Sequence, residues 1–384
     1  MTLHDLTPVL VAAVRTPCGR GLKGSLARVR PEDLAAAAIA GAIARVPGLA
    51  PADIEDVVLG CAMPEGPQGM NIARIAALRA GLPVEVPAVT INRFCSSGLQ
   101  AIAMAADRIA AGSIDVAIAG GVESMSQVPM GGFKIAPHPV VIRQWPEVYM
   151  PMGNTAELVA AQHGVTRADQ DAFALHSQQK AAAAQAAGAF DQELVAVDTV
   201  DGALDRDELP RPDTTLDGLA KLKPAFQQGG TVTAGSSSPL TDGAAAVVVM
   251  SWARARALGL EPLAAWRGFQ AVGVAPEVMG IGPVAAVPKL LARAGLAIGA
   301  IDHFELNEAF AAQAVAVVRA LGIDPARVNP LGGAIALGHP LGATGAKLTA
   351  TLLHALRRTG GRFGVVTMCV GGGMGAAGLF ERLD

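Results

Sequence analysis

The sequence predicts an α/β fold made of two similar halves, each a sheet covered by helices, with a loop domain inserted in the first half. Three observations carry this. Strand-like and helix-like stretches alternate through residues 10–121, the pattern of a sheet covered on both faces. The segment G-L-A-P-A-D-I-E-D-V-V-L-G at 48–60 matches G-L-A-I-G-A-I-D-H-F-E-L-N at 295–307 without a gap. That period is far too long for a solenoid and indicates a duplicated domain. Between the two halves Gly, Pro, Met and Ser crowd the chain after Glu123, and the polar segment 198–212 has no clear period, as in a loop region carried on a rigid scaffold. The expected units are 1–122 with 240–265, the insert 123–239, and 266–384.

In chain order, Leu10 to Val14 reads as a buried strand ended by the turn residues of R-T-P-C-G-R. Pro31 to Ile43 opens with proline and two acids, which suit a helix start. V-V-L-G at 57–60 is strand-like and is followed by a helical stretch at 71–80. The apolar run Val86 to Ile91 hands over at Cys95 to a small-residue turn, which opens a helical stretch from Leu99 to Ala111. D-V-A-I-A-G-G at 115–121 is the next strand, Arg167 to Ala187 is helical within the insert, and a strand resumes at Ala244 to Met250. The second half repeats the order: an apolar stretch, a small-residue turn, a helix, and V-V-T-M-C-V-G-G-G, read as the last strand with Cys369 at its end.

Composition removes several function classes. The chain has 384 residues, 51% of them apolar and 4% aromatic, so its core is built from small aliphatic side chains. No apolar run of membrane-spanning length escapes interruption. A net charge of −3 with acids and bases mixed gives no basic stripe for nucleic acid. Cysteines 18, 61, 95 and 369 show no metal-ligand spacing, so neither a metal nor a disulfide framework is expected. The first residues lack the basic end and apolar stretch of a secretory signal, and the cytoplasm is the expected compartment. Gly373, Gly375 and Gly378 match G-x-G-x-x-G, but no helix is expected after them, so no nucleotide redox cofactor is implied.

Four chemical groups fall at element ends. Cys95 is expected at a helix N-terminus, where unpaired N–H groups and the positive dipole end favour a thiolate and depress a cysteine pKa. His339, in G-G-A-I-A-L-G-H-P-L-G-A-T-G, lies at the corresponding turn of the second half. Asn307 and Cys369 end strands of that half. A thiolate attacks a carbonyl, an imidazole takes and returns its proton, and a second thiol moves a proton on and off carbon. Asn307 and the backbone N–H groups after Cys369 are candidate oxyanion donors. Asn307 is equally a candidate cap for the helix that follows it.

Five motifs resemble the thiolase family over essentially the whole chain, most closely its 3-ketoacyl-CoA thiolases. They are N-R-F-C-S-S-G-L-Q at 92–100, G-G-V-E-S-M-S at 120–126, N-E-A-F-A-A-Q at 307–313, G-G-A-I-A-L-G-H-P-L-G-A-T-G at 332–345 and C-V-G-G-G-M-G at 369–375. The resemblance implies a thiolase-like duplicated α/β core and thiolytic cleavage of a 3-ketoacyl-CoA by CoA. Cys95 is then the acyl carrier, His339 its base, Cys369 the acid and base at carbon, and Asn307 the holder of a water at the enolate oxygen. The N–H groups of Cys95 and Gly371 form a second oxyanion hole. Arg211, Ser238 and Phe226 correspond to coenzyme A contacts and Met152 to a pocket methionine. Pro151 stands where short-chain acetoacetyl-CoA thiolases have histidine, which favours longer acyl chains.

The resemblance further implies CoA as a substrate with no tightly bound cofactor, a homodimer or homotetramer, and a role in fatty-acid β-oxidation. It also allows association with a hydratase/dehydrogenase subunit. Three alternatives stand beside it: an acetoacetyl-CoA thiolase, a decarboxylating condensing enzyme on the related fold, and a non-catalytic acyl-CoA-binding relative.

Overall fold

The computed structural model describes residues 3–383. Its strands are β1 (Pro8–Arg15), β2 (Gly19–Arg20), β3 (Asp56–Gly60), β4 (Ala88–Ile91), β5 (Val116–Ser124), β6 (Val197–Thr199), β7 (Gly202–Leu204), β8 (Thr241–Ser251), β9 (Ala264–Gly273), β10 (His303–Leu306), β11 (Phe363–Val370) and β12 (Met374–Glu381). Ten of them form one sheet in the order β10-β11-β12-β9-β1-β8-β5-β3-β4, with β2 paired to β8.

The duplication is visible in that order. β1-β8-β5-β3 and β9-β12-β11-β10 repeat the same arrangement, with β3 parallel to β5 and β10 parallel to β11. β8 and β12 run antiparallel to their neighbours. The halves join where Val9 and Leu10 pair with Ala265 and Ala264. The second-half counterpart of β4 has shrunk to an isolated bridge between Phe304 and Val328.

Helices cover both outer faces and also fill the space between the halves. The Pro31–Ala44 and Ile72–Arg79 helices contribute to one core cluster with the first half, and Gly282–Ala294 and Ala311–Leu321 to another with the second. The central helices Ser97–Ala110 and Thr344–Thr359 share a third cluster with strands of both halves, including Leu99, Ile102, Leu348 and Leu352. Burying each such side chain contributes about 1.5–3 kcal/mol. The two central helices touch at their N-terminal ends. A Cβ on Gly98 would lie 2.8 Å from the Ala346 backbone nitrogen, so glycine is what lets these ends meet.

Several sequence expectations need correction. β5 runs to Ser124 and β9 straddles residues 265 and 266, so sheet structure crosses two of the three expected unit bounds. Residues 198–212 are not wholly irregular, because β6 and β7 form a short hairpin there. Cys369 lies on β11, not on the last strand, and β12 follows it. Since β12 is a strand, G-x-G-x-x-G still lacks the helix that a dinucleotide site needs. His339 follows the short helix Ala334–Leu337 rather than a strand, because the β4 counterpart is reduced to one bridge. Asn307 caps nothing: Phe310 is the N-cap residue of the helix starting at Ala311.

Candidate active site

Cys95 sits in the tight turn Phe94–Ser96 that leads into the helix Ser97–Ala110. That turn packs against the end of β11 and against the turn Leu341–Ala343, two residues past His339. The backbone N–H groups of Gly371 and of Cys95 itself lie close enough to the Cys95 sulfur to favour its thiolate. Cys369, fully buried, is close enough for the charge of Cys95 to raise its pKa. Asn307 is anchored beside the same strand by its N–H to Thr367 O, 2.9 Å.

The two halves are pinned together here by Glu123. Its buried carboxylate accepts from the N–H groups of Ala62 (2.7 Å) and Met63 (3.2 Å), from Gln68 Nε2 (2.8 Å), and from Gly342 N–H (2.8 Å) across the interface between halves. A Cβ on Gly342 would lie 2.6 Å from Cys61 Cα, so this approach also requires glycine. Thr241 completes the frame: its Oγ1 accepts from His339 N–H at 3.0 Å, while its own N–H donates to Met125 Sδ at 3.4 Å. Met125 belongs to the small apolar cluster on which Cys95 packs.

The protonation pattern of His339 follows from its neighbours. Thr344 Oγ1 donates to Pro340 O (3.0 Å), so it offers only lone pairs to His339 Nδ1, 2.6 Å away. Nδ1 therefore carries the proton and Nε2 keeps a lone pair. Asn307 Nδ2 donates to that lone pair at 3.3 Å. Burial, and then the charge of Lys347, push the imidazole pKa down to about 3, so the ring is a neutral base at pH 7. Lys347 is itself buried and donates from Nζ to Gly338 O at 3.0 Å, next to His339. Asn307 Oδ1 is buried and has no hydrogen-bond partner among the described residues, which leaves an acceptor directed at the site.

The thiols depart from the sequence expectation. Burial pushes the Cys95 thiol up to about 12, outweighing the two N–H groups that favour the thiolate, and buried Glu123 adds to the rise. The desolvation penalty exceeds the helix-end effect, so the resting nucleophile is a neutral thiol. The Cys369 thiol is raised as well, first by burial and then by the charge of Cys95. Since the thiolate fraction grows tenfold per pH unit below a thiol's pKa, alkylation of Cys95 by iodoacetamide should rise about tenfold per unit from pH 7 to 9. Peptide mapping by mass spectrometry measures this, and a plateau near pH 7 would instead show a preformed thiolate.

The remaining predicted residues divide into three. Met152 joins the cluster, with Sδ 3.7 Å from where a Cβ on Gly371 would stand. Phe226 and Ser238 meet two consecutive residues: Phe226 packs edge-on against Phe310 at 5.7 Å, and Ser238 N–H donates to Ala309 O at 3.0 Å. Arg211 stands apart on an exposed loop, its N–H bonded to Gln178 Oε1 of the helix Arg167–Ala186 at 2.8 Å. Sequence reasoning missed Thr344, Thr241 and Lys347. Thr344 carried a signal, a hydroxyl inside the same motif as His339; Thr241 and Lys347 carried none that spacing reveals.

The chain is similar to known proteins over nearly its whole length. Residues 8–253 match the thiolase N-terminal domain and residues 260–382 the thiolase C-terminal domain. The chain is 54% identical to a 3-ketoacyl-CoA thiolase of Bacillus subtilis, covering 97% of this chain and 98% of that protein. It is 50% identical to a β-ketoadipyl-CoA thiolase of Pseudomonas aeruginosa, at 97% and 98% coverage. The solved structure of the Bacillus anthracis acetyl-CoA acetyltransferase superposes with a TM-score of 0.90 at 40% identity, covering 98% of this chain and 99% of that one. Matched on both domains and over nearly its full length, the chain belongs to the thiolase family and is an acyltransferase of that kind.

Proposed function

We propose that this protein cleaves 3-ketoacyl-CoA with CoA, giving acetyl-CoA and a shortened acyl-CoA through an acyl-cysteine at Cys95. The observation that carries the reading is the pairing of two protonated thiols, Cys95 half-buried and Cys369 buried, at one glycine loop with a neutral imidazole whose Nε2 keeps its lone pair toward Asn307. Nε2 of His339 takes the Cys95 proton, and the thiolate attacks C3 of the substrate. The C2–C3 bond breaks, its electron pair passes into the acetyl-CoA enolate, and the Cys369 thiol delivers its proton to C2. Free CoA then loses its thiol proton to the Cys369 thiolate and attacks the acyl-enzyme. Cys95 leaves as thiolate and recovers its proton from His339. Both thiols end as they began.

Oxygen charge is met in two places. The N–H groups of Cys95 and Gly371, which face the nucleophilic sulfur, take the oxygen of the acyl group bound there. Asn307 and His339 face the enolate oxygen, with Asn307 Oδ1 fitted to orient a water. Each such donor is worth about 2.7–4 kcal/mol in a transition state. Phe226 and Ser238 receive the pantetheine arm, and Arg211, at the outer end, meets the adenine. The insert between β5 and β8 supplies these contacts.

The physiological reading is a degradative one, fatty-acid β-oxidation in the cytoplasm. A homodimer or homotetramer would cover exposed Val89 on the edge strand β4 and Ile75 and Leu78 beside it. A short-chain acetyltransferase is the second reading, favoured by the superposition on the Bacillus anthracis enzyme. Loss of the 3-ketoacyl-CoA enolate absorbance with CoA supplied tests both. The first expects kcat/KM to rise from acetoacetyl-CoA to longer chains, and the second expects it to fall.

Thr344 acts in this scheme as a positioning residue. Thr344→Val removes the acceptor that holds the Nδ1–H tautomer and should lower kcat about 10²-fold with KM nearly unchanged. Thr344→Ser should recover most of that loss. Steady-state kinetics of the two variants separates the tautomer role from packing, because serine and not valine keeps the hydroxyl.

A further inference from the structure

Phe94, immediately before Cys95, has φ +42°, in the left-handed region that bulky side chains seldom enter. The conformation is held from several sides. Phe94 N–H donates to Asn92 Oδ1 (2.8 Å), Ser97 Oγ donates to Phe94 O (2.7 Å), and Arg93 N–H donates to Ser97 Oγ (2.8 Å). Asn92 is fixed in turn by its Nδ2 on Ala62 O, 3.0 Å. Yet the residue so constrained is 37% exposed. The ring is not spent on the core, and backbone strain held this firmly clusters at functional sites.

The ring's position shows what it serves. Its Cγ and Cδ2 atoms lie 3.8 and 3.7 Å from the point where a Cβ on Gly371 would stand, and Met152 Sδ lies 3.7 Å from the same point. Phe94 and Met152 thus meet over Gly371, whose N–H faces the Cys95 sulfur. An acyl group bonded to that sulfur, with its oxygen on the Gly371 N–H, leaves between a ring and a thioether. Both surfaces are apolar and offer no hydrogen-bond donor, so they suit methylenes.

We propose that Phe94 is a specificity-determining residue that, with Met152, grips the first methylenes of the acyl chain carried on Cys95 and favours straight apolar chains over acetyl. This rests on the acyl-transfer reading above. Phe94→Gly is the informative variant, because glycine adopts the same backbone conformation without strain and deletes only the ring.

The measurement is the ratio of kcat/KM for 3-ketodecanoyl-CoA to that for acetoacetyl-CoA. The ratio should fall about tenfold in Phe94→Gly, with Phe94→Leu between it and the parent protein. A ratio within about twofold of the parent's, or an effect confined to the KM for CoA, would overturn the proposal. If the glycine variant fails to fold, Phe94→Asn, whose short side chain also tolerates this conformation, carries the same comparison. Mass spectrometry of the unsubstituted protein after acetoacetyl-CoA separates the two failures. An acetyl adduct on Cys95 with an unchanged ratio rejects the clamp alone, whereas no adduct rejects the acyl-transfer reading beneath it.

Discussion

Cys95→Ala should lower thiolysis by about 10⁴-fold or more, the scale seen when a covalent nucleophile is removed. The whole reaction passes through one sulfur, and no neighbour substitutes for it. Cys369 is buried at the end of β11, and burial keeps its thiol protonated. Acyl adducts should vanish from residue 95 in mass spectra after incubation with acetoacetyl-CoA. Stability should hardly change, with Tm within about 3 °C, because Cys95 is only half-buried and fills no large core volume. A folded Cys95→Ala protein that keeps even a tenth of the parent rate would remove the acyl-enzyme from the mechanism.

The strand and helix expectations succeeded where chemistry and local geometry agree. Pro31 with Glu32 and Asp33 marks a helix start that the structure puts at the same residue, running to Ala44. The repeat at 48–60 and 295–307 maps onto equivalent pieces, each a short turn followed by β3 or β10. β12 was hard to read for a packing reason. Its Gly375 and Gly378 are needed because a Cβ would lie 2.1 Å from Gly282 and 2.9 Å from Leu99, so the strand lacks the β-branched signature. All three glycines of the apparent nucleotide fingerprint are close-approach positions, since a Cβ on Gly373 would lie 2.4 Å from Val274 O.

At the site, sequence motifs located the reactive groups but not their protonation. A helix N-terminus before Leu99 suggested a thiolate at Cys95; burial reverses that, and burial is a property of the assembled halves. The same holds for His339. Its tautomer depends on Thr344, whose relation to Nδ1 exists only once the loop before the central helix has folded back. Phe94 reads in the sequence as one more apolar residue beside the cysteine. Its role emerges from a backbone angle and from a glycine 277 positions away.

Cys369→Ala separates carbon–carbon chemistry from acyl transfer. Moving an acyl group between CoA and Cys95 requires the nucleophile, His339 and the N–H pair at the sulfur; Cys369 there only exchanges a proton with the CoA sulfur, a good leaving group that demands far less help than carbon does. Breaking the C2–C3 bond requires a proton donor at C2, and the high pKa of Cys369 keeps that donor loaded at neutral pH. In the reverse sense the Cys369 thiolate must remove a proton from acetyl-CoA. Its high pKa makes that thiolate rare but strongly basic, suited to a weak carbon acid. Cys369→Ala should therefore lower 3-ketoacyl-CoA cleavage and deuterium exchange at C2 of acetyl-CoA together, by about 10²–10⁴-fold. Acylation of Cys95 from acyl-CoA, followed by mass spectrometry, should fall far less. Equal losses in all three measurements would mean that Cys369 supports the shape of the site and not the proton transfer. Loss of acylation alone, with C2 exchange intact, would place the carbon acid and base on another group, such as His339.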